Sequence, residues 1–258
     1  VWRRDLKAEE GLLPPQWGFA SSPVPVGRDL VVNAGFHGIA LDAETGKTAW
    51  KSGPGPAGYA TVAVREEVAR TTIFVFNAKS LFAVDAANGK ALWNLPWETK
   101  YDVNAATPVL VPGGVFISSG YGSGSALAVE SGGNANYCWK QGDFGTQRNG
   151  SVVVDGRIYG VNAHNGKPGD LQCLDPETGA VLWSQGGFGQ GSLVAVGGRL
   201  VVLAESGDLV VAETAPKAFV QVARRKAVAG PCGTPPSVAD GRVVVRSAKG
   251  EVVCWQVP

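Results

Sequence analysis

Side chains able to bind or react gather in short stretches that interrupt an otherwise regular sequence. Tyr101, Asp102 and Asn104 lie close together, and Arg148 adjoins Asn149. Trp17, Tyr59 and Gln190 occupy comparable polar and aromatic stretches. Polar groups converging between aromatic walls are what a small-molecule site requires. An Asp102–Arg148 ion pair would fit such a site. Asp102 and Asn104 could offer oxygen donors to a hard cation, but two donors are too few to define a metal site. The competing reading is that all these groups fill and hydrate the mouth of a channel.

Other chemistry is scarce. No serine–histidine–acid arrangement stands out, so no catalytic residue is assigned, and a binding protein and an enzyme both remain open on these residues. His37, in the hairpin at 35–38, and His164, in the polar loop at 162–166, read as exposed turn residues. The four cysteines, Cys138, Cys173, Cys232 and Cys254, contain no Cys-x-x-Cys spacing, which argues against zinc and redox motifs. All four are expected to be reduced, with Cys173 and Cys254 serving as small apolar packing residues.

The elements that must position these groups are set by a repeat. Short apolar strands begin at Leu30, Ile73, Val115, Ile158, Leu200 and Val243, at steps of 43, 42, 43, 42 and 43 residues. A fixed period in this range marks a repeat fold. Four columns recur. The first is a hydroxyl residue opening a strand: Ser22, Thr61, Thr107, Ser151, Ser192 and Thr234. The second is the apolar strand, preceded by a Gly/Asp/Asn hairpin turn. The third is a strand ending in Asp42, Asp85, Glu130, Asp175, Glu213 or Gln256, with a compact apolar residue two positions earlier. The acid caps the following turn, where Gly46, Gly89 and Gly179 supply a positive φ. The fourth column is a tryptophan: Trp50, Trp93, Trp139 and Trp183. The fifth unit departs, with Gln221 and Val222 in its place.

Four short strands repeated radially predict a closed six-bladed β-propeller, all-β, forming one domain over residues 1–258. The only helix-like stretch is 6–13. Residues 1–6 carry a tryptophan, Trp2, and read as the missing fourth strand of the last blade, paired with 252–255. In such a ring the loops entering the innermost strands converge on the axis. The candidate ligand site is therefore this axial mouth, with Trp17, Tyr59, Tyr101, Asp102, Asn104, Arg148, Asn149 and Gln190.

Formal net charge is +1, so no global field draws the chain to nucleic acid. The basic run Arg224-Arg225-Lys226 reads as a solvated, protective strand edge. No apolar run reaches the roughly 18 residues that a membrane span needs.

Residues 41–50 (LDAETGKTAW), 84–93 (VDAANGKALW) and 174–183 (LDPETGAVLW) resemble the repeat of the pyrroloquinoline-quinone (PQQ)-like β-propellers. Residues 101–108 and 234–236 share the likeness. That family includes quinoprotein dehydrogenases and the outer-membrane assembly factor BamB. The resemblance implies a bacterial, periplasmic or otherwise exported protein that binds a protein partner or small ligand at its axial face. Its alternative implication is a quinoprotein-type alcohol oxidoreductase using PQQ with calcium. Members of that kind carry two adjacent cysteines over the cofactor, and this sequence has no adjacent pair. No cofactor is therefore expected.

Overall fold

The computed structural model describes residues 1–163 and 168–256. His164 lies outside the described residues. Six antiparallel sheets follow one another along the chain. The first contains β1 (Val24–Val26), β2 (Asp29–Val32), β3 (Ile39–Asp42) and β4 (Thr48–Lys51). The second contains β5 (Ala63–Glu66), β6 (Thr71–Phe76), β7 (Ser80–Asp85) and β8 (Ala91–Pro96). The third contains β9 (Val109–Val111), β10 (Gly114–Ser119), β11 (Gly124–Ser131) and β12 (Asn134–Gln141). The fourth contains β13 (Val152–Val154), β14 (Arg157–Asn162), β15 (Asp170–Leu174) and β16 (Val181–Gln185). The fifth contains β17 (Ser192–Val196), β18 (Arg199–Leu203), β19 (Asp208–Glu213) and β20 (Gln221–Lys226). The sixth has three strands, β21 (Ser237–Ala239), β22 (Arg242–Arg246) and β23 (Val252–Gln256).

The second strand of each unit reads as a continuous apolar run because both faces of the sheet are buried. Along β6, Phe74 and Phe76 face the third sheet, where they meet Val115 and Ile117. Ile73 and Val75 point the other way, toward Val31 and Ala40 of the first sheet. The same alternation recurs between sheets three and four, four and five, and five and six. Five cores thus join six sheets in sequence. Arg225, from the basic run, crosses to the sixth sheet and stacks 3.5 Å from the Trp255 ring centroid. Arg224 and Lys226 pair with Asp208 at 2.6 and 3.4 Å on an otherwise exposed β20.

The turn columns behave as their residue types dictate. Asp42 Oδ1 accepts from the Thr45 N–H at 2.8 Å and from its hydroxyl at 2.7 Å. Asp85 and Asp175 cap their turns by accepting from the N–H two residues on, that of Ala87 and of Glu177, each at 2.8 Å. The tryptophan of one sheet then seals the turn of the next. The indole N–H of Trp50 donates to Ala86 O, that of Trp139 to Pro176 O, and that of Trp183 to Ala215 O, at 2.8–2.9 Å. Gly89 and Gly179 sit under these rings. A Cβ there would fall 2.5 and 2.7 Å from the indole of Trp50 and Trp139. Trp93 breaks the pattern, and its indole nitrogen is buried without a partner. The turn it would seal is reduced to the two residues Gly132 and Gly133 between β11 and β12.

The seam between the first and sixth sheets differs from the expected one. Residues 1–5 form no strand, and β23 pairs with β22 alone among the described residues. Local chemistry holds the segment on the first sheet instead. Helix α1 (Leu6–Glu10) begins with a capping box. In it Asp5 accepts from the N–H groups of Lys7 and Ala8, and Glu9 accepts from that of Asp5. The Arg4 guanidinium binds Glu9, Glu10 and the Gly46 carbonyl. Trp2 nevertheless takes the place of a fourth-column tryptophan. Its indole donates to Ala43 O at 3.0 Å, and it covers Gly46. Because the outer edge of β23 is open, Cys254 is exposed rather than buried as expected.

Candidate functional site

Each first strand is entered by a loop at one end of the sheet, and the hairpin between second and third strands returns to that same end. The side chains flagged by the sequence therefore gather on one face. Two cavities open there and share Tyr59. The larger, about 660 Å³, takes lining residues from the first, second, third, fourth and sixth units, which places it on the axis. Its walls carry the rings of Trp17, Tyr59 and Tyr121, together with Gln147 and Arg148. The hydroxyl column contributes Ser22, Thr61 and Thr107. The smaller, about 510 Å³, is walled by Leu13 and the prolines 14, 15, 54 and 56, with Tyr101 and Asp102 at its rim.

The aromatic rings are paired. Trp17 and Tyr59 lie 5.6 Å apart, and Tyr101 meets Tyr121 edge-on at 5.2 Å. Trp17 and Tyr101 remain 62% and 56% exposed, so each pair offers an open ring to a partner. Arg148 and Gln147 have no hydrogen-bond or ion-pair partner among the described residues, and both are at least partly exposed.

The eight flagged residues divide into two groups. Trp17, Tyr59, Tyr101, Asp102 and Arg148 line the cavities. Asn104, Asn149 and Gln190 are bonded to backbone. Asn104 is fully buried, and its amide donates to Asn77 O and Ala78 O at 2.9 and 3.1 Å. Asn149 donates to Gln190 O at 3.0 Å and to Gly191 O, and accepts from the Ser192 hydroxyl at 3.1 Å. Gln190 bridges to Ala163 O and Glu205. These side-chain N–H groups satisfy loop carbonyls where adjacent sheets meet.

Other expectations change as well. Asp102 pairs with Lys79 at 3.8 Å, not with Arg148. It occupies a left-handed turn, φ +55°, at the smaller cavity, whereas Arg148 lies at the larger. Asn104 is sealed below the surface, so it does not join Asp102 as an exposed oxygen donor. Among the described residues no three His, Cys, Asp or Glu side chains converge on a metal position. His37 is half-buried rather than exposed. It stacks on Phe82 at 5.4 Å and its Nε2 lies 3.1 Å from Gly89 O. Burial lowers its pKa. All four cysteines are free. Burial pushes the Cys173 thiol up to about 11, which leaves it inert as a nucleophile.

Three features of the site escaped sequence reading. Tyr121 sits in a hairpin rather than an entering loop. The hydroxyl column reads as structural because it repeats. The prolines read as loop punctuation, although their clustering at 14–15 and 54–56 was the available signal.

Six four- or three-stranded sheets around an axial cavity, with acid-capped turns sealed by tryptophan, define a PQQ-like repeat propeller. The family model described as outer membrane protein assembly factor BamB matches residues 1–185 and 167–256, and the chain belongs to that family. Protein Rv3035 of Mycobacterium tuberculosis (strain ATCC 25618 / H37Rv) is 34% identical over 136 residues. That match covers 49% of this chain and 32% of the relative, so the chain matches about a third of that protein's length. Among solved structures, BamB from Moraxella catarrhalis superposes with a TM-score of 0.53 at 16% identity, over 93% of this chain and 85% of that one. The computationally designed Ika8 protein gives 0.65 at 14% identity, over 92% and 70%. A chain of the Mitotic Checkpoint Complex gives 0.65 at 9% identity, over 90% and 74%. At these identities the structural likenesses show the fold alone.

Proposed function

We propose that the chain is a non-catalytic binding or scaffold propeller that engages a protein partner, or a small ligand, at its axial loop face. The observation that carries this reading is the placement of exposed rings. Trp17, Phe36 and Tyr101 are the exposed aromatic side chains among the described residues, and all three sit at that one end. Solitary exposed apolar residues are ordinary, but rings clustered around a cavity mark a recognition surface. Membership of a family described by an outer-membrane assembly factor supports a protein partner and an exported location. No described helix is long and apolar enough to cross a membrane.

The donor set does not suit a quinone held by calcium. Among the described residues the single charged group lining the axial cavity is the Arg148 guanidinium, and no carboxylate lines it. A hard cation needs several oxygen ligands, most of them anionic. The test is a dye-linked alcohol oxidation assay with added PQQ and calcium, run beside Asp102→Ala. The expected result is no turnover in either protein. Turnover in the parent that disappears in the variant would make this an oxidoreductase.

A further inference from the structure

We propose that the two cavities form one bipartite site for an acidic linear segment of a partner protein. An apolar side chain of the segment occupies the proline-walled cavity, and a neighbouring carboxylate meets Arg148 in the axial one. This rests on the binding reading above and names the chemistry of its partner.

Charge selects the partner. Arg148 is exposed and has neither a hydrogen bond nor an ion pair among the described residues. No acidic side chain among the described residues lines its cavity. The nearest flagged acid, Asp102, is turned to the other cavity and engaged by Lys79. A guanidinium left free between aromatic walls is a fork for a carboxylate, and the amide of Gln147, also free, can donate beside it. The rings of Trp17 and Tyr59 line the same cavity and offer flat apolar surface to the rest of the segment.

Shape selects an extended segment rather than a compact ligand. Tyr59 lines both cavities, so they adjoin at one side chain, and their linings extend from the prolines at 14–15 and 54–56 to Pro235 of the sixth unit. The smaller cavity is chiefly apolar, with Leu13 62% exposed at its wall. Prolines and packed rings are stiff, so little ordering cost falls on this side of the interface. A single small anion would occupy only part of the axial cavity and leave the apolar one empty. An extended chain fills both.

The experiment is selection of a randomised linear peptide library displayed on phage against the full chain, repeated against Arg148→Glu and Tyr59→Ser. Both variants must first show the parent's melting temperature. Peptides selected on the parent should carry an Asp or Glu beside a Leu, Phe or Trp. Their affinity for Arg148→Glu should fall at least tenfold, and that variant should select Lys or Arg at the acidic position. Tyr59→Ser should weaken the same peptides. Selected peptides that lose affinity on Tyr59→Ser but not on Arg148→Glu would overturn the acidic assignment while leaving the axial binding reading intact. Failure to select any peptide, or selection insensitive to both substitutions, would overturn the proposal and remove that support for the axial face.

Discussion

Gly89 carries two separate demands, and they can be measured apart. Its φ is +72°, and a Cβ would meet the Trp50 ring at 2.5 Å. Gly156 has a similar φ, +69°, but nothing lies within 4 Å of its Cβ direction. Gly156→Ala should cost about 1–2 kcal/mol from the left-handed backbone alone. Gly89→Ala should cost about 1–3 kcal/mol more from overpacking, read as a larger drop in urea midpoint. The turn glycines were legible from sequence as positive-φ positions. Their second role was not, because the covering ring comes from the previous sheet.

Glu10 is a second residue with a measurable signature. Its side chain is nearly buried and is bound by Lys51 at 2.8 Å, by Thr48 and by Arg4. Those partners, Lys51 first, hold its carboxyl well below the usual 4.5, at about 2. A carboxylate whose folded pKa is depressed stabilises the fold above its unfolded pKa. That contribution is lost as pH falls from about 4.5 toward 2. Glu10→Gln should therefore lower the melting temperature at pH 7 and flatten its decline across that acid window. An unchanged decline would mean that Glu10 does not govern the acid limb.

At the scale of elements, the seal between one sheet and the next should depend on its hydrogen bond. Trp50 donates to Ala86 O, whereas the buried indole nitrogen of Trp93 has no partner. Trp50→Phe should cost about 1 kcal/mol more than Trp93→Phe, since only the first loses a bond and the second removes an unsatisfied donor. Equal losses by denaturant titration would contradict the assigned role of the indole N–H. Strands and turns were legible because periodic hydrophobicity and turn chemistry are local. The roles of the polar loop residues were not. Asn149 and Arg148 are adjacent and both polar, yet one ties the fourth sheet to the fifth and the other faces the cavity. That choice depends on which backbone carbonyls a neighbouring sheet leaves unpaired.

At the scale of the whole molecule, six repeats read from sequence became six sheets, while the seam between the first and last did not follow. The repeat period counts units, but Trp2 and Arg4 attach to the first sheet through long-range contacts that no period encodes. Function at this scale rests on one face being different from the other. The loops entering the first strands carry Trp17 and Tyr101, whereas at the far end of those strands the exposed large apolar residues are isolated aliphatics, Val68 in a hairpin and Val196 at the end of β17. A photo-crosslinking amino acid placed in living cells of the native host at position 17, 101, 68 or 196 compares the two faces directly. The account predicts a discrete protein adduct from positions 17 and 101 and none from 68 and 196. Adducts confined to 68 and 196 would contradict the choice of face, and adducts absent from all four would contradict a protein partner.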